Sequence, residues 1–139
     1  MRRRPWLIVT GDFTPTGGMD RANHALASYL LRQGEEVHLV AHRVAEDLRA
    51  AGAQVHLVRK PLDSYFLAEP FLDRAGQRCA RRLGARGVRV VVNGGNCQAE
   101  GACWVHYVHA AWEAPKAGGL RGIKAAGHRA RALRLEREA

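Results

Sequence analysis

The chain has 139 residues, enough for one domain with a real core and too few for two. Apolar residues make up 47% of it, a globular rather than a disordered share, and no apolar run approaches the roughly 20 residues that span a bilayer. The formal net charge is +9, and arginine far outnumbers lysine, which favours phosphate-bearing partners: nucleotides, anionic lipid heads or nucleic acid.

Met1-Arg-Arg-Arg4 ahead of Trp6-Leu-Ile-Val9 has the charge order of a signal peptide. The apolar part is too short, and charge returns at Asp12 with no small-residue cleavage site. Cys79, Cys97 and Cys103 form no even-numbered framework, which fits a reducing compartment. A cytoplasmic protein is expected.

The apolar run Trp6–Thr10 predicts a buried strand. Gly11-Asp-Phe-Thr-Pro-Thr-Gly17-Gly18 follows as a loop. Met19–Gln33 predicts a helix, since Met19, Ala22, Leu26, Tyr29 and Leu30 recur at helical spacing, and Gly34 stops it. Further strands are expected at Glu36–Ala41 and Gln54–Arg59, around a short helix at Ala45–Ala51. Leu67–Leu83 is helical in pattern, with Pro70 breaking its early part. Val88–Val92 is a strongly apolar strand, Asn93-Gly-Gly-Asn96 a loop at its end, Cys103–Val108 a fifth strand, and Gly118–Ala139 a basic helix.

Strand and helix alternate throughout, and the strands are short and β-branched. This predicts an α/β fold: a Rossmann-like, doubly wound, mostly parallel sheet with helices on both faces. In such sheets ligands bind outside the carboxyl ends of the strands. Gly17-Gly18, Asn93–Asn96 and His109 are therefore expected to converge on one crevice. The uncapped charged helix at the end of the chain reads as a fold cut off midway.

The loop before the first helix is a candidate diphosphate cradle. Helix N-termini present unpaired N–H groups and a favourable dipole, and glycines let a phosphate approach the backbone. The loop is neither the G-x-G-x-x-G fingerprint nor a P-loop. Asp12 is a candidate for an acceptor hydroxyl or for an Asx turn, Asn93 and Asn96 for the cleft or simply for their turn. His24 sits near the loop and would line the crevice. From the residues alone, His109 is equally a strand-end histidine bonded to backbone. His38, His42 and His56 read as partly buried or surface histidines, His106 as structural, and Trp104 and Trp112 as packing residues. The set Cys97, Cys103, His106 and His109 has no familiar zinc spacing, and Cys97 reads as a buried inert thiol. Arg74, Arg78, Arg81 and Arg82 share one helical pattern, a solvated face first and a membrane-surface contact second.

The run Gly17-Gly18-Met19-Asp20-Arg21-Ala22-Asn23, with Leu26-Ala27, Leu30 and Gly34-Glu35-Glu36-Val37-His38-Leu39-Val40, resembles the opening of retaining glycosyltransferases of family four, which have the GT-B fold. Val105-His106-Tyr107-Val108-His109-Ala110-Ala111-Trp112 is similar to the family segment in which a histidine follows a strand at the interdomain cleft, and the final helix with Leu135-Glu136-Arg137 to the helix before the last strands of the N-terminal domain. The resemblance covers nearly the whole chain. It implies the acceptor-side half of a two-domain enzyme that moves a hexose from a nucleotide diphosphate sugar to a hydroxyl of a glycan or lipid-linked acceptor, with retention. It implies that Gly17 and Gly18 approach the donor diphosphate and that His109 contacts the donor sugar as the catalytic residue. Arg21 and Asn23 match the opening motif and, with Asp12 and Asn96, are cleft candidates. No cofactor or metal is expected. Where some relatives carry an acidic residue after the histidine, this chain has Ala110.

The resemblance also implies a second Rossmann-like domain, carrying the donor site and a paired-glutamate motif, which these residues do not supply. Residues 1–139 are thus expected to be a truncated N-terminal domain, inactive alone, and possible company for an anionic inner membrane surface. The alternative is a non-catalytic basic module for nucleotides or nucleic acid, followed by a zinc-stabilised interaction domain. No nucleic-acid motif or aromatic-plus-basic platform appears, so nucleic acid is not expected as a partner.

Overall fold

The computed structural model describes residues 4–105, 126–127 and 129–134. Its first strand, Trp6–Val9 (β1), leads into a two-residue strand at Asp12–Phe13 (β2). Helix Met19–Arg32 (α1) is followed by Val37–Ala41 (β3), Arg43–Val44 (β4), helix Glu46–Ala50 (α2) and Gln54–Leu57 (β5). Helix Tyr65–Gly84 (α3) then leads to Arg89–Asn93 (β6) and Ala102–Trp104 (β7).

Five strands form one sheet in the order β5-β3-β1-β6-β7, and every neighbouring pair is parallel. Counted within this sheet, the order is 3-2-1-4-5, that of the Rossmann-like doubly wound fold. Parallel neighbours require crossovers, and the crossovers cover both faces. Side chains alternate accordingly. Ile8, Leu39, Ala41 and Val91 pack with Ala27 and Leu30 of α1 and Leu48 of α2. Leu7, Val9, Val40, Val90 and Val92 pack with Leu72, Cys79 and Leu83 of α3. The continuous apolar run at the start of the chain is what a strand buried on both faces requires.

The expected helices and strands are present with ends shifted by one or two residues, and three features differ. Pro70 does not break α3, which starts earlier than the apolar pattern suggested and runs through it. At the sixth position of the helix the proline gives up the bond to the Phe66 carbonyl and crowds that carbonyl, a local cost that packing outweighs. The buried stripe Ala68, Leu72, Gly76, Cys79 and Leu83 holds the helix on the sheet. Secondly, β2 and β4 form a parallel ladder of their own, Asp12 opposite Arg43 and Phe13 opposite Val44. It continues the β1–β3 direction past the carboxyl edge, bridged by the His42 N–H donating to the Gly11 carbonyl at 2.7 Å. Two-residue strands carry too little periodicity to be read from letters. Thirdly, β7 ends at Trp104, and the expected continuation through residues 106–108 lies outside the described residues. Residues 126–127 and 129–134 are helical, as expected of the basic tail. Arg131 ties them to α3 by a 3.0 Å ion pair with Glu69. Among the described residues no helix is long and apolar enough to cross a membrane.

Arginines clamp the amino edge of the sheet. Arg86 donates to both oxygens of Glu36, and Arg89 pairs with Glu35 at 2.7 Å while lying over the Trp6 ring. The Arg86 guanidinium, and after it His38, hold the Glu36 carboxyl well below the usual range, at about 2. Folding therefore favours ionised Glu36. This stabilisation is complete above the ordinary carboxylate range near 4.5 and is lost as pH falls towards about 2. Glu36→Gln should accordingly flatten the acid limb of a stability-against-pH profile between those values, measured by urea midpoints.

Helix α3 sits unusually close to β1 at Gly76. A Cβ there would lie 2.6 Å from Cys97 Sγ and 3.1 Å from both Val9 methyl carbons. At Gly84, in the same helix, a Cβ would meet nothing within 4 Å. Gly76→Ala should therefore lower stability by about 1–3 kcal/mol through overpacking. Gly84→Ala should raise it by up to about 1 kcal/mol through helix propensity. Equilibrium denaturation reads both, and the opposite signs are the test.

Candidate functional site

Strand order reverses between β1 and β6. The chain leaves β1 through α1 on one face and reaches β6 through α3 on the other. The two crossovers diverge at the carboxyl edge and leave a crevice there, where doubly wound folds bind ligands. Three buried polar side chains line up across it. Asn23 of α1 donates from Nδ2 to Thr10 Oγ1 at 3.2 Å, just past β1. Asn93, the last residue of β6, donates from Nδ2 to Asn23 Oδ1 at 2.6 Å. Asn23 and Thr10 have no exposed surface, and Asn93 Oδ1 is buried without a hydrogen-bond partner. One asparagine thus ties the first turns of α1 to both strands flanking the crevice.

Beside this tether lies a second polar cluster. Asp12 of β2 is buried, and its Oδ2 accepts from Arg43 Nη2 at 2.9 Å and from the Tyr65 hydroxyl at 2.6 Å. Its Oδ1 is buried with no partner. A buried carboxylate needs such donors to offset its lost hydration. The bond to Asp12, then burial and the Asp12 charge, push the Tyr65 phenol above its ordinary value, so it stays a donor at neutral pH. Lys60 Nζ stands 4.0 Å from the Tyr65 ring centre and pairs with Asp63. The turn between them holds Leu62 and Asp63 at φ near +50°, a left-handed backbone that costs free energy in residues other than glycine.

The glycine loop closes the other side. Gly17 and Gly18 are exposed, Gly17 has φ +83°, and a Cβ at either would meet no atom within 4 Å. Gly18 caps α1 through its backbone alone, without a side-chain hydrogen bond to the first turn. The head of α1 thus offers N–H donors and the positive end of the helix dipole to an approaching anion.

The expected site residues part company here. Asn23 is a buried tether and Asp12 a buried node, whereas Gly17, Gly18 and Arg21 are exposed around the head of α1. Asn96 is half-buried in a cleft of about 150 Å³ on the α3 side, with Glu69, Asp73, Arg74 and Arg131. His24 Nε2 is 2.8 Å from Asp47 of α2. Cys97 is buried, its thiol pushed up to about 11 chiefly by burial, while Cys103 is exposed. Arg74, Arg78, Arg81 and Arg82 are exposed along α3. His109, the expected catalytic residue, lies outside the described residues, as do His106 and Trp112. Sequence reasoning missed Thr10, Arg43 and Tyr65. A buried aspartate demands partners, but nothing in the letters locates them 31 and 53 residues away.

Removing the tether should cost more than removing a neighbour of similar chemistry. Asn23→Ala strands the Asn93 amide and the Thr10 hydroxyl in the interior, an expected loss of about 2–4 kcal/mol. Asn96→Ala should stay within about 0.5 kcal/mol of the parent. Urea denaturation of the two variants measures the difference.

In comparisons with known proteins, no family model, curated protein or solved structure matches the chain.

Proposed function

We propose that this chain is the acceptor-side, Rossmann-like half of a GT-B retaining glycosyltransferase, which transfers a hexose from a nucleotide diphosphate sugar to a hydroxyl of a glycan or lipid-linked acceptor. The observation that carries this reading is the pair Gly17-Gly18. Their unobstructed backbone lies at the head of α1, beside the point where strand order reverses. As the glycosidic bond breaks, the leaving diphosphate gains negative charge. N–H dipoles fixed at a helix start stabilise that charge without reorganising. The tether through Asn23 keeps the helix head where the charge develops.

In this reading His109, which follows β7 by five residues in the chain, supplies an imidazole to the donor sugar, where it orients a hydroxyl or places charge near the reacting carbon. Asp12 acts at second hand, by fixing Tyr65 and Arg43 beside the crevice. The exposed arginines of α3 suit an anionic surface near a lipid-linked acceptor. The donor's base and sugar are read mainly by the partner domain that this fold class requires.

The test is an amide chemical-shift titration of the 139-residue chain with UDP-hexose, GDP-hexose and inorganic pyrophosphate. The expected result is a salt-sensitive shift confined to residues 17–21 with either nucleotide sugar. Gly18→Val, which the open surroundings of Gly18 allow, should weaken it at least tenfold. Unmoved amides at 17–21, or binding of an oligonucleotide through the α3 arginines in their place, would overturn the reading.

A further inference from the structure

At the opposite side of the sheet from α1, three donor atoms converge that the proposed transferase chemistry does not use. His38 of β3 shares a face with Val40, and His56 of β5 stands opposite Val40 in the ladder. That face is covered by α3, which brings Cys79 down onto it. His38 Nδ1 is 3.1 Å from His56 Nε2, and one nitrogen of each ring and Cys79 Sγ all lie within 4.8 Å of one another. His38 and Cys79 are buried, and His56 is half-buried on the edge strand, which leaves a way in from solvent.

The surroundings select the ligand atoms. Glu36 Oε1 is 3.0 Å from His38 Nε2, so His38 donates its proton there and Nδ1 keeps a lone pair. Glu36 is itself held by Arg86 through both oxygens. A carboxylate behind a histidine is the usual support of a metal-binding imidazole, fixing its tautomer and ring orientation. A single hydrogen bond accounts for the histidine pair alone. It does not account for a thiol brought to the same point from a third element. Two imidazoles and a thiolate suit a borderline cation, and zinc above the harder divalent ions. In a tetrahedral zinc site neighbouring nitrogens stand about 3.3 Å apart, so the pair has to open by only a few tenths of an ångström.

We propose that His38 Nδ1, His56 Nε2 and Cys79 Sγ form a zinc site between β3, β5 and α3, with Glu36 as the carboxylate behind His38 and a water as fourth ligand. Binding displaces the Cys79 thiol proton to solvent, and the proton that His56 Nε2 donates to His38 Nδ1 in the metal-free protein moves to His56 Nδ1. One proton is released for each zinc bound. Burial pushes the Cys79 thiol above its ordinary value, and Arg82 Nη2, 3.9 Å from Sγ, offsets part of that. The site is independent of the glycosyltransferase reading and stands or falls separately from it.

The test uses the 139-residue chain freed of metal with a chelator and titrated with Co²⁺ and Zn²⁺. Co²⁺ should give a thiolate-to-cobalt charge-transfer band that Zn²⁺ abolishes. Zinc at 100 times its Kd should raise Tm by about 8 °C. Cys79→Ser should remove the band, and His56→Gln, at a half-buried position, should abolish the thermal shift. Glu36→Gln should keep the band while weakening zinc about 10–100-fold. Cys103→Ser, at an exposed thiol elsewhere, should change none of these. X-ray absorption of the zinc-loaded parent needs no variant and should show one sulfur and two imidazole nitrogens. A spectrum without sulfur, an absent cobalt–thiolate band, or a band that survives Cys79→Ser would overturn the site.

Discussion

Everything else in this fold is arranged around the enclosure of β1 at Leu7, Ile8 and Val9. These three residues have no exposed surface, and the strand has a parallel neighbour on each side. Parallel pairing forbids tight hairpins, so each neighbour is reached by a crossover. The crossovers supply the helices that cover both faces, and their divergence makes the crevice. At the end of such a strand no side chain is idle: Thr10 is wholly buried and already engaged by Asn23.

This explains why the fold was largely legible in the letters. Strands buried on both faces read as unbroken apolar runs, and helices packed on one face read as period-3.6 stripes. Trp6–Thr10, Val88–Val92 and Met19–Gln33 each matched the structure to within two residues at each end. Pro70 misled because its local cost is outweighed by the buried stripe Ala68, Leu72, Gly76, Cys79 and Leu83, a tertiary contribution that local pattern does not weigh. β2 and β4 were invisible because their pairing is a matter of long-range register, which two residues cannot encode.

The site was legible in part. The glycine pair was visible as local chemistry, and its place at the reversal of strand order follows from the topology the alternation predicted. The polar interior was not visible. Asn23 read as one more letter of an opening motif, and Asn93 as the shoulder of a turn, yet their bond spans 70 positions. The same holds for His38 and His56. The tetrapeptide Val-His-Leu-Val occurs twice, at residues 37–40 and 55–58, and the two strands prove to be neighbours. The repeat was not read as a sign of adjacency, and the ladder alone shows the offset that brings the two rings together.

The asparagine bridge has a mechanical meaning. Because α1 is bolted to the ends of β1 and β6 at one buried point, its head cannot swing without disturbing two buried strands of the sheet. The floor of the crevice is therefore stiff before any guest arrives, and the entropy of immobilisation falls on the short exposed lip at residues 15–18. Discrimination between guests can then drift through changes in that lip while the floor stays as it is.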